Sequence, residues 1–194
     1  QISVRYIFAD DFEAAPKSDK EEGSIRKLFE TRATSYGNTA KIYFISTPKV
    51  KQSSNIEPVY LLGDQRHWYW SCPCCGEDIT PTWSIELENG ERAGIVWKLD
   101  ENNMLIPESV KYRCEHCLGY FEEKEKYNLN LAGKWKPTAK PKISNYYSYY
   151  INSICAPPGF LSWVQLVEEW LEACPPNGIV NKPMLQAFMN VKLG

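Results

Sequence analysis

The chain has 194 residues, with 22 Lys and Arg against 24 Asp and Glu and a formal net charge of −2. That balance excludes a global basic field of the kind that draws nucleic acid by charge alone, and no apolar run approaches the ~20 residues needed to span a bilayer. A soluble protein is expected, with 43% apolar residues, enough for one ordinary domain and a small second one.

The first stretch, residues 1–60, alternates strand and helix. Val4 to Ala9 (VRYIFA) reads as a short strand ending in acids, and Ser24 to Thr34 as a helix carrying Ile25, Leu28, Phe29 and Arg32 at helical spacing behind Ser24 as N-cap. Lys41 to Ser46 (KIYFIS) is a second buried strand. Strand, helix, strand with short links is the unit of a parallel sheet flanked by helices, so the fold class expected is α/β.

The second stretch, 61–135, places two strands, TPTWSIEL and GIVWKLD, around a turn at Glu88-Asn89-Gly90 and between two C-x₂-C pairs. The third, 136–194, holds a tyrosine-rich strand from Asn145 to Ile154, a break at Pro157-Pro158-Gly159 and a helix from Phe160 to Cys174. In that helix Trp163, Leu166, Val167, Trp170 and Leu171 form one apolar stripe, which core packing explains. A last short helix runs from Pro183 towards Val191. Lysines gather at Lys49 and Lys51 and from Lys134 to Lys142, where either group could touch phosphate; with no aromatic ladder interleaved, solvated surface is the plainer reading.

The most informative feature is the pair of knuckles, Cys72 and Cys75 within SCPCCG and Cys114 and Cys117 within RCEHC. Two such pairs, each followed by glycine at Gly76 and Gly119, supply four thiolates for one tetrahedral Zn²⁺ in a closed structural site. Disulfides are the weaker reading: the total of seven cysteines is odd, no secretory signal opens the sequence, and Cys72, Cys74 and Cys75 crowd together. Cys74 and His116 lie inside the knuckles as alternative ligands, against the plainer reading of loop residues that point away from the metal, since two C-x₂-C pairs already complete four ligands. Cys155 and Cys174 read as buried or idle thiols.

An apolar strand that delivers two acids at its end, IFADDFE, has the form of a Walker B segment. Asp10 would hold Mg²⁺ through its water shell and Asp11 would orient the attacking water, against the plainer reading of a solvated turn. The neighbouring strand ends in Ser46-Thr47-Pro48, hydroxyls placed to sense a γ-phosphate, or simply an ordinary strand exit.

The order of these motifs carries a resemblance. IFADDFEAAP, FETRAT, KIYFISTPKV, YLLGDQRHWYWSCPCCGE, YRCEHCLGYFEEKEKYNLNLAGKW, LSWVQLVEEWLEA and FMNVKLG together resemble the large terminase subunit of tailed phages, specifically the GpA (lambda) type. The resemblance implies a partial P-loop (ASCE-type) parallel sheet with an inserted zinc-ribbon subdomain and C-terminal helices. It further implies an ATP-driven motor that threads double-stranded viral DNA into capsids, with a separate nuclease domain. Carried onto this chain, Asp10 matches the Walker B aspartate, and Asp11 sits where that family usually has the catalytic glutamate. Glu13 stands where aspartate is common there, so the catalytic role is split between Asp11 and Glu13. Ser46, Thr47 and Pro48 match the coupling motif, and Arg32 a recurrent arginine that is either a sensor or a packed surface residue. Cys72, Cys75, Cys114 and Cys117 match the family's paired cysteines; Cys74 stands where histidine is common.

The implied cofactors are structural Zn²⁺, with Mg²⁺ and ATP, and the implied partners are viral DNA, the small terminase subunit, the capsid portal and further copies of the chain, in the host cytoplasm. The phosphate-cradling G-x₄-G-K-[ST] is missing, since the one Gly-Lys, Gly133-Lys134, precedes tryptophan. An internal piece of a longer polypeptide, or the product of a split or decayed gene, is therefore expected, inactive alone. Two other classes stay open: a zinc-ribbon module that docks onto DNA or protein, and a P-loop translocase or helicase of another family.

Overall fold

The computed structural model describes residues 2–16, 24–49 and 54–194. They fall into two compact units, Gln1–Gly63 with Pro141–Ser148, and Asp64–Lys140 with Tyr149–Gly194. The residues expected as a third stretch, 136–194, are thus shared between the two.

In the first unit, β1 (Tyr6–Ala9) and β2 (Lys41–Phe44) pair in parallel, in register from Tyr6 opposite Lys41 to Ala9 opposite Phe44. Parallel neighbours need a crossover, and α1 (Ile25–Ala33) supplies its helix. Alternation along β1 sends Ile7 and Ala9 inward and leaves Tyr6 and Phe8 exposed. Phe12, Phe29 and Phe44 fill the inner side, with ring centroids 4.7 Å apart for Phe12 and Phe44 and 6.0 Å for Phe29 and Phe44. Ser24 does stand at the N-cap of α1, yet its hydroxyl makes no capping bond; its carbonyl accepts the Leu28 N–H at 3.1 Å instead. Arg32, read as either a sensor or a packed surface residue, is exposed in the last turn. A short helix α2 (Ile56–Tyr60) follows, unforeseen from periodicity because it is little more than one turn. Lys51 lies outside the described residues.

The second unit is built on β3 (Arg66–Ser71), which pairs antiparallel with β4 (Asp78–Ile79). A separate antiparallel meander follows: β5 (Ser84–Glu86), β6 (Arg92–Val96), β7 (Lys111–Arg113) and β8 (Tyr120–Phe121). The hairpin between β5 and β6 turns where expected, with Gly90 N–H on the Leu87 carbonyl at 2.8 Å, though both strands are shorter than the sequence suggested. Next come α3 (Lys126–Ala132), β9 (Lys134–Lys136) and β10 (Tyr149–Tyr150), the last two flanking β3 antiparallel and parallel respectively. The tyrosine-rich strand thus contracts to two residues.

Helices α4 (Trp163–Ala173) and α5 (Lys182–Phe188) close this unit. The start of α4 is set by a reciprocal box in which Ser162 Oγ accepts the Gln165 N–H and the Gln165 side chain accepts the Ser162 N–H, so Phe160 stays outside. Its stripe packs as expected, with Trp163, Leu166 and Val167 fully buried. Trp70 and Trp163 anchor the core, their indole N–H groups satisfied by Asn130 Oδ1 at 2.9 Å and the Ile154 carbonyl at 3.0 Å.

Candidate functional site

Each cysteine knuckle is the turn of a two-stranded hairpin. The first joins β3 to β4, with Trp70 opposite Ile79 and Ser71 opposite Asp78; the second joins β7 to β8, with Tyr112 opposite Phe121 and Arg113 opposite Tyr120. Backbone bonds repeat in step. Cys72 N–H reaches the Glu77 carbonyl at 2.8 Å and Gly76 N–H the Cys72 carbonyl at 2.8 Å, while Cys114 N–H reaches Gly119 at 3.0 Å and Leu118 N–H reaches Cys114 at 3.1 Å. The left-handed position after each pair is therefore Gly76 (φ 78) in one knuckle and Leu118 (φ 60), not Gly119, in the other. Space is tight at Gly119: a Cβ there would lie 3.0 Å from Cys74 Sγ and 3.2 Å from Cys117 Sγ.

The two hairpins bring the sulfurs of Cys72, Cys75, Cys114 and Cys117 within 4.8 Å of one another. Cys72 to Cys117 is 3.9 Å and Cys75 to Cys114 is 4.0 Å, far longer than a disulfide and close to the ~3.8 Å edge of a tetrahedron with metal–sulfur bonds of ~2.3 Å. Backbone N–H groups of Cys74 and His116 point at Cys72 Sγ and Cys114 Sγ, both at 3.4 Å, so the donor set is oriented as thiolates require. Burial pushes the Cys72 and Cys114 thiols up, whereas the Gly119 backbone N–H draws Cys117 down. The residues present fit a soft tetrahedral ion. Cys74 and His116 stand outside the quartet, and both are exposed.

The acidic strand end belongs to the first unit. Asp10 and Asp11 are exposed, and Asp11 takes a left-handed conformation (φ 48, ψ 43) with its N–H on Asp10 Oδ1 at 3.0 Å. The chain then turns inward. Phe12 N–H donates to the Ile45 carbonyl at 3.1 Å, and the Glu13 N–H donates to Ser46 Oγ at 2.9 Å. Glu13 itself is buried, its Oε2 accepting Ser54 Oγ–H at 2.8 Å and the N–H groups of Asn55 and Ile56 at 2.8 and 3.1 Å. The structure thus joins Glu13 to Ser46 and leaves Thr47 exposed beside them. Ser54 and Asn55 escaped the sequence reading, although Ser54-Asn55-Ile56-Glu57 has helix-opening spacing: Ser54 Oγ accepts the Glu57 N–H at 3.1 Å.

The lysines near 134 do meet aromatic rings, supplied by a strand distant in sequence. Lys134 pairs across with Tyr69, and Lys136 Nζ lies 5.1 Å over the Tyr69 ring while also pairing with Asp78. No helix among the described residues is long and apolar enough to cross a membrane.

Residues 1–135, which include both the acidic strand end and the cysteine quartet, match the family described as phage terminase large subunit gpA, ATPase domain. The chain belongs to this terminase family. It is 30% identical over 171 residues to the large terminase subunit of Enterobacteria phage P21, an alignment covering 77% of this chain and 23% of that protein. The chain therefore spans less than a quarter of that terminase relative's length. No solved structure matches it. Mixed parallel and antiparallel sheets with interspersed helices accord with the terminase ATPase-domain family and with the expected α/β class.

Proposed function

We propose that this chain is part of the ATP-driven motor by which a terminase large subunit packages viral DNA. The match of residues 1–135 to the terminase ATPase family carries the proposal. In this reading β1 and β2 are neighbouring strands of a P-loop, ASCE-type sheet, residues 61–135 an inserted zinc ribbon, and residues 136–194 the elements that close the ATPase region.

Asp10 then holds the water shell of Mg²⁺ bound with ATP, and Asp11, exposed beside it, orients the attacking water. Ser46, Thr47 and Pro48 pass the state of the nucleotide onward, and Arg32 is available as a sensor from the exposed end of α1. The cysteine quartet holds Zn²⁺, which suits four thiolates and supplies a rigid cross-link between the two hairpins. Viral double-stranded DNA, the small terminase subunit, the portal and further copies of the large subunit are the partners, in the host cytoplasm.

A second reading, a zinc-ribbon docking module without ATP linkage, draws on the quartet alone. ATP hydrolysis by the full-length large subunit separates the two. Asp10→Asn abolishes turnover if the motor reading holds; turnover surviving that change removes it.

A further inference from the structure

We infer that Glu13 is a positioning residue, a buried pin that fixes the Asp10–Asp11 loop against β2 and α2; the assignment rests on the ATPase reading above. The residue is 5% exposed, and one carboxylate oxygen accepts the Ser54 hydroxyl and the Asn55 and Ile56 N–H groups. Its N–H engages Ser46 Oγ, and its carbonyl accepts Asn55 Nδ2 at 3.2 Å, an amide that also reaches the Ala15 carbonyl at 2.7 Å. A single residue therefore ties the end of β1 to the tip of β2 and to the opening of α2.

A carboxylate so enclosed is badly placed to take a proton from an attacking water, because its donors already point at it and bulk water is shut out. Asp10 and Asp11 are placed the other way, outward and exposed. Asp11 also holds a left-handed backbone conformation that a non-glycine residue keeps only when its surroundings enforce it. Phe12 and Glu13, both fastened inward directly after it, provide that enforcement. Releasing Glu13 frees the loop that carries the reacting acids, and misplacement of about 1 Å at such a site costs up to about a hundredfold in rate.

The test compares Glu13→Ala, which deletes the acceptor, with Glu13→Gln, which keeps an acceptor oxygen on the same arm, in the full-length large subunit. Glu13→Ala is expected to lower kcat for ATP by about tenfold or more at near-constant KM, and Glu13→Gln to restore it to within about threefold. Ser54→Ala, which removes one donor to the Glu13 carboxylate, reproduces part of the loss. Hydrogen exchange at the Asn55 and Ile56 amides quickens in Glu13→Ala and stays slow in Glu13→Gln. A Glu13→Gln protein as inactive as Asp10→Asn makes Glu13 the catalytic acid and overturns the assignment. Full turnover in Glu13→Ala, or unchanged exchange at those amides, overturns it too. If Asp10→Asn itself hydrolyses ATP, the ATPase reading falls and takes the catalytic half of the assignment with it, whereas exchange reports on the pin alone.

Discussion

Glu123 holds the fully buried ammonium of Lys126 at one carboxylate oxygen, 2.5 Å away, and the Trp163 backbone N–H at the other, 3.0 Å away. Lys126 Nζ also donates to the Leu161 carbonyl at 3.0 Å. The pair thereby fastens the start of α4 to the start of α3. Removing Glu123 leaves the fully buried Lys126 ammonium without a counter-charge, whereas removing the Lys126 cation leaves a Glu123 carboxylate that is 28% exposed and that water still reaches. Glu123→Ala is expected to cost about 3 kcal/mol and Lys126→Met clearly less. Urea denaturation of both variants checks the order; equal losses would mean the pair acts only by filling space.

For the metal, one Zn²⁺ per chain is expected by elemental analysis, lost in Cys75→Ser and Cys117→Ser and kept in Cys74→Ser. Gly119→Ala should weaken retention against a chelator, because its Cβ would stand 3.2 Å from Cys117 Sγ and displace that ligand. Metal-free protein carrying disulfides would sink the assignment.

Gly133, half of the single Gly-Lys pair, is a glycine for reasons of packing. A Cβ there would come within 2.2 Å of the Trp68 ring, whose indole N–H is buried with no partner among the described residues. Gly133→Ala should therefore cost about 1–3 kcal/mol as an overpacked site, with a shift in tryptophan emission. Unchanged stability and emission would show that Trp68 moves aside freely.

Coupling should separate from hydrolysis at the tip of β2. Thr47 is exposed, while Ser46 is committed to the Glu13 N–H. Thr47→Ala in the full subunit with capsids is expected to keep most ATP consumption yet lose DNA protected inside capsids, since one hydrogen bond of ~0.5–1.5 kcal/mol is too little to unfold the sheet. Ser46→Ala, which unsettles the acidic loop, should lower both together. Were Thr47→Ala to lower the two in strict proportion, Thr47 would be only a strand exit.

What the sequence determined by itself was whatever local spacing encodes. The knuckle cysteines, the apolar stripe of α4, the β1–α1–β2 unit and the turn at Gly90 were legible because each depends on residues a few positions apart. Tertiary structure decided the rest. RHWYWS has no clean alternation and reads as nothing in particular, yet it becomes β3, the strand on which β4, β9 and β10 all pair. Two-residue strands such as β10 exist only because a long-range partner holds them. Glu13 is the sharpest case: the sequence offered it as a reacting acid beside Asp11, and its burial was set by Ser54, Asn55 and Ile56, which close over its carboxylate from far along the chain. Burial and hydrogen-bond saturation are properties of the folded surroundings, and no local pattern records them.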